Sequence, residues 1–438
     1  MILSPRILSK SNKFKAARSL YSSATRQQQA QTKNTLSEEI FASTGKYGAH
    51  NYAPIPVAIT RGKDIFVWDV EGRRYYDFLS GYSALNQGHC HPKIIDALKT
   101  QAERLTLTSR AFYSDALSEY QEYATTLFGY DRILPMNSGA EGGETACKLA
   151  RKWGYQVKGI PDNQARIVFA ENNFWGRTLS ACSSSSDPDC YGDYGPYLPG
   201  LDMVAYNDLA ALEEKLKDPN TCAFMVEPIQ GEAGVVVPDA GYLKGVRALC
   251  DKYNVLWIAD EVQTGLCRTG RMLCVDHDDV RPDMVVLGKA LSGGTMPISA
   301  VLADDEVMLT MAPGTHGSTF GGNPLACKVA MASLDVLVDE KLAENAENIG
   351  QVFRQELKSR LNPDIVSIVR GKGLLNAIVI PTTEDLNAGK VALKLRDNGL
   401  LSKPTHENTL RFAPPLTMSH EEIHNCINII VDTVNSCN

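Results

Sequence analysis

The chain has 438 residues, of which 44% are hydrophobic and 22% are charged. This length suits two or three structural units, and this composition is typical of globular proteins with a buried core, so extensive disorder is excluded. No run of about 18 apolar residues occurs, which argues against a membrane-spanning helix. The net charge is −7. An acidic chain argues against a nucleic-acid partner, because phosphate binding needs a basic surface.

The first 37 residues differ in charge from the rest of the chain. They hold seven basic residues and no acid, so the remainder carries a net charge of −14. A Ser-rich, acid-free segment with scattered Lys and Arg is typical of a mitochondrial transit peptide, and residues 18–22 resemble a processing site. We therefore predict a transit peptide over residues 1–35 and a location in the mitochondrial matrix. A basic tail that contacts nucleic acid is the alternative, whereas a secretory signal would need an apolar core that this segment lacks.

Beyond this leader, short apolar runs alternate with amphipathic stretches of helical length. Two runs, 65–68 and 75–78, flank a Val-Glu-Gly-Arg turn and predict a strand, a turn and a strand. Further strands are predicted at 166–169, 223–226, 255–259, 284–287 and 298–302. Helices are predicted between them at 141–156, 208–217 and 241–253. This alternation predicts an α/β fold with a mostly parallel sheet flanked by helices.

The C-terminal part of the chain follows a different pattern. A long, polar-rich helical stretch is predicted over about 325–361, and strands and helices are mixed beyond it. Ser419 and Glu422 form a capping-box pair, which makes His420 and His424 first-turn residues of a helix rather than metal ligands.

Eleven cysteines are scattered from Cys90 to Cys437, and none belongs to a Cys-x-x-Cys pair. An odd, unpatterned set predicts neither a disulfide framework nor a zinc ribbon, and it suits a reducing compartment. His89, Cys90 and His91 lie too close together on a turn to converge on one ion without further ligands. The sequence therefore predicts no metal site.

Charged residues follow two of the predicted strands. Asp260 and Glu261 come directly after one apolar run, and Lys289 ends another and is followed by a Gly-rich loop. Parallel sheets bind ligands at the carboxyl ends of their strands. A lysine at such an end is expected to be desolvated, which would lower its pKa and prepare it for Schiff-base chemistry. Taken alone, the same lysine could equally form an ordinary salt bridge.

Two segments are candidates for binding phosphate. Ser138, Gly139 and Ala140 stand where a predicted helix begins, and small residues there expose backbone N–H groups at the positive end of the helix dipole. This segment is not a Walker loop, because no Gly-Lys-Ser/Thr follows at the required spacing. Residues 317–323 place two hydroxyl groups among glycines. Simple turns are the alternative interpretation of both segments.

Six segments together carry the pattern of a known family. They occur in the order found in the subgroup III (ω-amino acid) aminotransferases, at 138–140, 174–177, 227–232, 260–265, 288–289 and 317–323. The chain resembles this family from about Gly45 to its C-terminus. The resemblance implies a fold-type-I scaffold with a large sheet-containing domain and a smaller α+β domain. The implied division is a leader, an N-terminal segment of the small domain, the large cofactor-binding domain and the C-terminal small domain, at 1–35, 36–85, 86–335 and 336–438.

The resemblance also implies that the chain binds pyridoxal 5′-phosphate. Lys289 would hold the cofactor as a Schiff base and then transfer protons, while Asp260 would raise the pKa of the pyridine nitrogen. Phe174 would stack on the ring, and Gln263 would hydrogen-bond near its 3′ oxygen. Thr319 would reach the phosphate of a neighbouring subunit, which requires a homodimer or a larger homo-oligomer with shared sites. The implied cofactor site comprises Ser138, Gly139, Ala140, Phe174, Asp260, Val262, Gln263, Lys289 and Thr319.

Three more segments resemble the branch of the family that takes L-ornithine as amino donor and 2-oxoglutarate as acceptor. They lie at 47–52, 86–92 and 411–416. The resemblance implies that Arg177 binds the carboxylate of the donor through two hydrogen bonds. Arg411 would be masked by Glu232 in that half-reaction and released for the α-carboxylate of the acceptor. Tyr52 and Tyr82 would contact the distal α-amino end of ornithine. Structural ion pairs are the alternative role for these two arginines and the glutamate.

The resemblance therefore implies transfer of the terminal amino group of L-ornithine to 2-oxoglutarate, which gives glutamate 5-semialdehyde and L-glutamate. Acetylornithine or 4-aminobutyrate is the alternative donor, against which the pair Tyr52 and Tyr82 argues. An aminomutase of the same fold would release no free keto acid. A catalytically silent scaffold would be expected to lack Lys289, Asp260 or Arg177, and all three are present.

Overall fold

The computed structural model describes residues 35–437, in two units of which the first ends at Ala58 and the second begins at Ile59. The predicted transit peptide, residue 35 excepted, and the processing site within it lie outside the described residues. Helix α1 (Leu36–Tyr47) belongs to the first unit and begins with a capping box. The Thr35 hydroxyl accepts the Glu38 N–H at 3.3 Å, and the Glu38 carboxylate accepts the Thr35 N–H at 2.8 Å.

The second unit opens with three antiparallel strands, which confirms the predicted strand, turn and strand. They are β1 (Ile59–Lys63), β2 (Phe66–Asp69) and β3 (Arg74–Asp77). A single turn of helix follows at Ser80–Ser83, and its backbone is left-handed. We call residues 80–83 the left-handed turn.

The central sheet has seven strands, of which five lie within two residues of the predicted bounds, whereas those at 132–136 and 201–204 were not predicted. The seven strands are β4 (Arg132–Met136), β5 (Arg166–Ala170), β6 (Leu201–Val204), β7 (Thr221–Val226), β8 (Leu256–Asp260), β9 (Met284–Leu287) and β10 (Ser299–Ala303). Their order is β4-β10-β9-β8-β7-β5-β6, and only β10 runs antiparallel to its neighbours. The strands from β7 to β10 are buried along their whole length, which explains why their sequences are continuously apolar.

Helices precede, connect and follow these strands. They are α2 (Pro92–Arg104), α3 (Asp115–Phe128), α4 (Gly139–Gln156), α5 (Leu179–Ser183), α6 (Pro188–Tyr191), α7 (Leu209–Leu216), α8 (Tyr242–Tyr253) and α9 (Asp305–Met308). Two 3₁₀ turns lie at Cys274–His277 and Lys289–Ser292. Helix α4 approaches β9 closely, because a Cβ atom on Gly142 would lie 2.8 Å from Val286. A glycine is therefore required where the helix crosses the sheet.

The C-terminal part differs from prediction in one respect. The helical stretch expected over about 325–361 is two helices, α10 (Pro324–Asp339) and α11 (Leu342–Arg360), separated by Lys341 in a left-handed conformation with φ 52°. Most of α10 is buried, so it is not polar-rich. The break arises because α10 packs inside the molecule, whereas α11 buries only one face.

A second four-stranded sheet, entirely antiparallel, lies near the C-terminus. Its order is β11-β12-β15-β14, with β11 (Ile368–Lys372), β12 (Leu375–Val379), β14 (Lys403–Thr405) and β15 (Thr409–Phe412). The short strand β13 (Leu400–Leu401) instead pairs with β3, so sequence from near the C-terminus completes the N-terminal sheet. Helices α12 (Ala388–Asp397) and α13 (His420–Asn435) complete the fold, and α13 begins with the predicted capping box of Ser419 and Glu422.

Two findings concern the described range 35–437 as a whole. No helix there is long and apolar enough to cross a membrane, and no group of three or more His, Cys, Asp or Glu residues is arranged to hold a metal ion. The histidines of the 89–91 turn have separate partners, since His89 bonds to Asp77 at 2.7 Å and His91 bonds to Glu340 at 2.9 Å. The domain boundaries at residues 85 and 335 stay a prediction.

Candidate active site

A cavity opens at the carboxyl ends of β7, β8 and β9, where the mostly parallel sheet was expected to bind a ligand. Its walls come from the start of α4, the loop after β5 and the segments that follow these strands. The lining residues are Gly139, Ala140, Phe174, Trp175, Gly176, Glu227, Glu232, Asp260, Val262, Gln263 and Lys289. Eight of these eleven are among the residues that the sequence singled out.

Lys289 lies directly after β9, at the start of a 3₁₀ turn and in a left-handed conformation with φ 41°. Its carbonyl accepts a hydrogen bond from the Ser292 hydroxyl at 2.8 Å, which closes the turn beneath the side chain. Burial lowers the pKa of the Lys289 ammonium, although the carboxylates of Glu232 and Asp260 act in the opposite direction. A lysine with a lowered pKa has a larger neutral fraction, which is the nucleophilic form of the amine.

The two carboxylates at the end of β8 have different surroundings. Asp260 faces the cavity and accepts the Val262 N–H at 3.1 Å, and burial raises its pKa to about 6. Glu261 accepts the Val275 N–H at 2.9 Å and the Thr264 hydroxyl, and burial raises its pKa to about 7. Only Asp260 is therefore presented to a ligand, whereas Glu261 organises the loop behind the cavity.

The start of α4 forms one wall of the cavity. Ser138 is the N-cap, and its hydroxyl accepts the Glu141 N–H at 3.2 Å. The Glu141 carboxylate accepts the backbone N–H groups of Ser138 at 2.7 Å and Asn137 at 3.1 Å. Gly139 and Ala140 follow within the first turn, where N–H groups have no intrahelical acceptor. These two N–H groups, at the positive end of the helix dipole, can bind an anion in the cavity.

Val262 and Gln263 follow β8 and form another part of the cavity wall. A Cβ atom on Gly139 would lie 3.0 Å from Val262, so the valine packs directly on the helix start. The Gln263 amide nitrogen donates to Glu232 at 3.3 Å, while its amide oxygen is buried and has no hydrogen-bond partner within residues 35–437. A buried acceptor of this kind is costly unless a ligand supplies the missing donor, or the amide is rotated so that its nitrogen meets a ligand acceptor.

Glu227 is a cavity residue whose role the sequence did not reveal. It follows β7 and is 7% exposed. Its carboxylate accepts the Phe174 N–H at 2.9 Å and the Gly231 N–H at 3.3 Å, so it joins two walls of the cavity. Burial, together with the charge of Asp260, raises the pKa of Glu227 to about 8. Its place in the 227–232 motif was the available signal, but that signal did not separate it from Glu232.

Glu232, Arg411 and Tyr82 come together at one side of the cavity. Arg411, on β15, is 2% exposed and donates to the Glu232 carboxylate at 2.7 Å. Its guanidinium also lies 5.3 Å from the centre of the Tyr82 ring, within range of a cation–π interaction. Burial alone would raise the pKa of Glu232, but the charges of Arg411 and Lys289 hold it below its ordinary value.

Besides Ser138, Tyr82 and Arg411, which were described above, two predicted residues of the second unit, Arg177 and Thr319, do not line this cavity. Arg177 is exposed, with its guanidinium 5.5 Å from the centre of the Phe174 ring and a 3.4 Å hydrogen bond to the Asp189 carbonyl. Thr319 is exposed on the loop after β10. Tyr52 is 71% exposed and belongs to the first unit. The roles assigned to Arg177, Thr319 and Tyr52, like those assigned to the cavity residues, stay predictions.

Trp175, which lies within the 174–177 segment, also lines the cavity. Its ring stacks on Phe169 with centroids 5.8 Å apart, and its indole N–H donates to the Ser184 hydroxyl at 2.9 Å. A Cβ atom on Gly143 would lie 2.5 Å from this ring, so the glycine makes room for it in α4. The tryptophan thereby anchors the loop that carries Phe174 and Arg177.

Comparison with known proteins gives a consistent result. The chain is 64% identical over 411 residues to a protein of Drosophila ananassae named "Ornithine aminotransferase, mitochondrial", and the match covers 94% of each chain. The ornithine aminotransferase of Toxoplasma gondii has a solved structure with pyridoxal phosphate at partial occupancy in its active site. It matches with a TM-score of 0.90 at 50% identity, over 97% of this chain and 98% of that chain.

A solved acetylornithine aminotransferase from Elizabethkingia anophelis also matches, with a TM-score of 0.84 and 54% identity, over 92% of this chain and 100% of that chain. These similarities confirm the predicted fold-type-I architecture. The family model described as "Aminotransferase class-III" matches residues 47–434. The chain therefore belongs to the class-III aminotransferases, enzymes that depend on pyridoxal 5′-phosphate.

Proposed function

We propose that this enzyme transfers the terminal amino group of L-ornithine to 2-oxoglutarate, with pyridoxal 5′-phosphate held at Lys289. The products are glutamate 5-semialdehyde and L-glutamate. The observation that carries the proposal is the cavity, which combines a desolvated lysine with Asp260, a helix N-terminus and the masked arginine Arg411. The relatives named as ornithine aminotransferases support the choice of donor.

The residues of the cavity fit this cofactor. The N–H groups of Gly139 and Ala140 would bind its phosphate, and Phe174 would cover one face of its ring. The amide of Gln263, which leaves a buried atom without a partner, would bond to a ring substituent. Asp260 would bind the pyridine nitrogen. The bound cofactor supplies an electrophilic carbonyl and an electron sink for the carbon that loses a proton.

Lys289 and Asp260 would have different roles in the reaction: Lys289 transfers protons, and Asp260 stabilises the charge on the ring nitrogen. Because burial lowers its pKa, the Lys289 amine would accept a proton from the substrate carbon and deliver it to C4′, the carbon of the cofactor's aldehyde group. Asp260 must be ionised to stabilise a protonated ring nitrogen, and a cation at that position would favour its charged form. Both residues sit on adjacent strand ends, so neither has to move far during turnover.

Substrate choice depends on the state of Arg411. L-Ornithine must enter with its terminal amine first, whereas 2-oxoglutarate must present its α-carbon. While Glu232 binds Arg411, no strong carboxylate site is available beside the reacting position, and the donor carboxylate would turn to Arg177. When Arg411 is released, it would bind the α-carboxylate of 2-oxoglutarate. Tyr82, which already contacts Arg411, would meet the distal amino end of ornithine.

The proposal extends to location and assembly. Residues 1–35 would direct the chain to the mitochondrial matrix, in keeping with the mitochondrial name of its relative from Drosophila ananassae. Thr319 is exposed and lies outside the cavity of its own chain, as expected if it serves the phosphate of a neighbouring subunit. We therefore propose a homodimer or a larger homo-oligomer with shared sites, and a small domain built from residues 36–85 and 336–438.

Purified enzyme should show a cofactor absorbance band that collapses when L-ornithine is added without 2-oxoglutarate. Lys289→Ala should remove turnover, by about 10³-fold or more, because both the anchor and the proton carrier are lost. Stopped-flow absorbance and a semialdehyde assay measure the two effects. A band that responds to acetylornithine and not to L-ornithine would favour the alternative donor, and full turnover by Lys289→Ala would refute its role.

Glu232→Gln should change the balance between the two half-reactions. The neutral amide no longer masks Arg411, so L-glutamate, whose α-carboxylate needs that arginine, becomes the better donor relative to L-ornithine. We expect the ratio of single-turnover rate constants, glutamate over ornithine, to rise about tenfold, or about 1.4 kcal/mol. Glu356→Gln, which breaks an exposed pair with Arg360, is the matched control and should leave the ratio unchanged. An unaltered ratio in Glu232→Gln would contradict the masking role.

Glu227→Gln tests the buried carboxyl through the pH dependence of stability. Since folding raises the pKa of Glu227 from 4.5 to about 8, the native state holds a proton that the unfolded chain has lost, and stability falls as pH rises between these values. Glu227→Gln has no carboxyl group at this position, so its stability does not fall with pH for this reason. In cofactor-free protein, the Tm of the variant minus the Tm of wild type should therefore rise by about 2–4 °C between pH 5 and pH 8. The exposed control Glu103→Gln should show a constant difference, and the same constancy in Glu227→Gln would refute the assignment.

A further inference from the structure

The left-handed turn is an unusual piece of backbone. Its four residues have φ angles of 50° at Ser80, 57° at Gly81, 60° at Tyr82 and 70° at Ser83. This region is unfavourable for residues with a Cβ atom, and only one of the four is glycine. Strained backbone of this kind persists where surrounding groups hold it in place, and it clusters at functional sites.

Asp77 holds the beginning of the turn. It ends β3, and one of its carboxylate oxygens accepts the N–H groups of Leu79 at 2.9 Å and Ser80 at 2.8 Å. The Ala84 N–H then bonds to the Ser80 carbonyl at 2.8 Å and closes the turn. The direction taken by the chain after β3 is therefore set by one side of a single carboxylate.

His89 holds the other side of that carboxylate. Its Nε2 lies 2.7 Å from the second oxygen of Asp77, and the two side chains are only 19% and 10% exposed. The backbone of His89 pairs with Asp64 through two hydrogen bonds of 2.8 Å. A Cβ atom on Gly62 would lie 2.6 Å from the imidazole, so the ring fills a space that this glycine leaves open. The imidazole is thus fixed by elements outside the turn.

The turn places Tyr82 beside Arg411, which pairs with the cavity residue Glu232. The Tyr82 ring lies 5.3 Å from the guanidinium of Arg411 and 5.7 Å from the ammonium of Lys403. The turn is also tied to the strand of Arg411, because the Phe78 carbonyl accepts the Ala413 N–H at 2.8 Å. A change in the backbone at residues 79–83 would therefore move Tyr82 relative to Arg411.

We infer that Asp77 and His89 form a positioning pair that holds the left-handed turn, so that Tyr82 can select amino donors with an α-amino group at their distal end. The inference rests on the proposed function, which assigns that end of L-ornithine to Tyr82. The hydrogen bonds of Asp77 and His89 go to the start of the turn, to each other and to Asp64, whereas Tyr82 lies beside Arg411, so the pair acts through Tyr82.

The test uses His89, because Asp77 also stabilises the buried cation of Arg268 and its replacement would have two effects. His89→Asn carries an amide that is too short to reach Asp77, whereas the amide N–H of His89→Gln extends as far as Nε2. The donors are L-ornithine and 5-aminopentanoate, which lacks only the α-amino group. For His89→Asn we expect kcat/KM to fall about tenfold with L-ornithine and less than threefold with 5-aminopentanoate, and His89→Gln should recover most of this loss.

His91→Asn is the matched control, because it breaks a similar bond to Glu340 that has no connection with the turn. With either donor, the kcat/KM of His91→Asn should differ from that of wild type by no more than about twofold. In a Tyr82→Ala background, His89→Asn should produce no further change in the ratio of the two donors. The inference would be overturned if His89→Asn lowered kcat/KM equally with both donors. It would also be overturned if His89→Asn changed the donor ratio as much in the Tyr82→Ala background as in wild type.

Hydrogen exchange separates this inference from the proposed function. In His89→Asn, the amides of Leu79 and Ser80 should exchange at least tenfold faster than in wild type, while His91→Asn should leave them unchanged. If wild type does not use L-ornithine, the proposed function fails, and the exchange data still decide whether the pair holds the turn. Unchanged exchange at both amides would overturn the positioning role even in an active enzyme.

Discussion

The cost of burying charge is the constraint on which this active site depends. Three carboxylates, Glu227, Glu232 and Asp260, line one cavity with Lys289, and the buried cation of Arg411 pairs with Glu232 beside it. An uncompensated buried charge costs on the order of several kcal/mol. Glu232 is compensated by Arg411, and Glu227 is compensated by two N–H groups and a raised pKa. Asp260 and Lys289 have the weakest compensation from the chain itself, and they are the residues that the cofactor would engage.

The same constraint explains how distant segments are held together around the cavity. Arg268, a few residues after the cavity wall at Gln263, is fully buried, and burial lowers its pKa to about 9. It donates to the carbonyls of Leu374 at 2.9 Å and Pro414 at 2.6 Å, and to the Asn86 side chain at 2.6 Å. These bonds join the loop after β8 to the sheet that carries Arg411. A displacement of that sheet would leave a buried cation without acceptors, so the site is held rigid by its own polar groups.

Much of this arrangement could be predicted from the sequence, because it depends on local patterns. Buried strands leave continuous apolar runs, and the ends of two such runs directed attention to Lys289 and Asp260, both of which line the cavity. Other features depend on partners far along the chain. Nothing within Ser-Gly-Tyr-Ser indicates a left-handed turn, since Asp77 and His89 impose it from outside. Likewise, the sequence around Glu227 does not indicate that its carboxylate accepts hydrogen bonds from two backbone N–H groups, one of them distant along the chain.

The central claim is that Lys289 is bonded to the cofactor and that the amine of L-ornithine takes the place of Lys289 in that bond. Borohydride reduction of the enzyme, followed by peptide mass spectrometry, tests this claim most directly, because reduction makes a Schiff base permanent. The account predicts one pyridoxyl adduct per chain, on the peptide that contains Lys289. It also predicts that the adduct is absent when the enzyme is first treated with L-ornithine alone. An adduct on another lysine, or one that persists after L-ornithine treatment, would contradict the account.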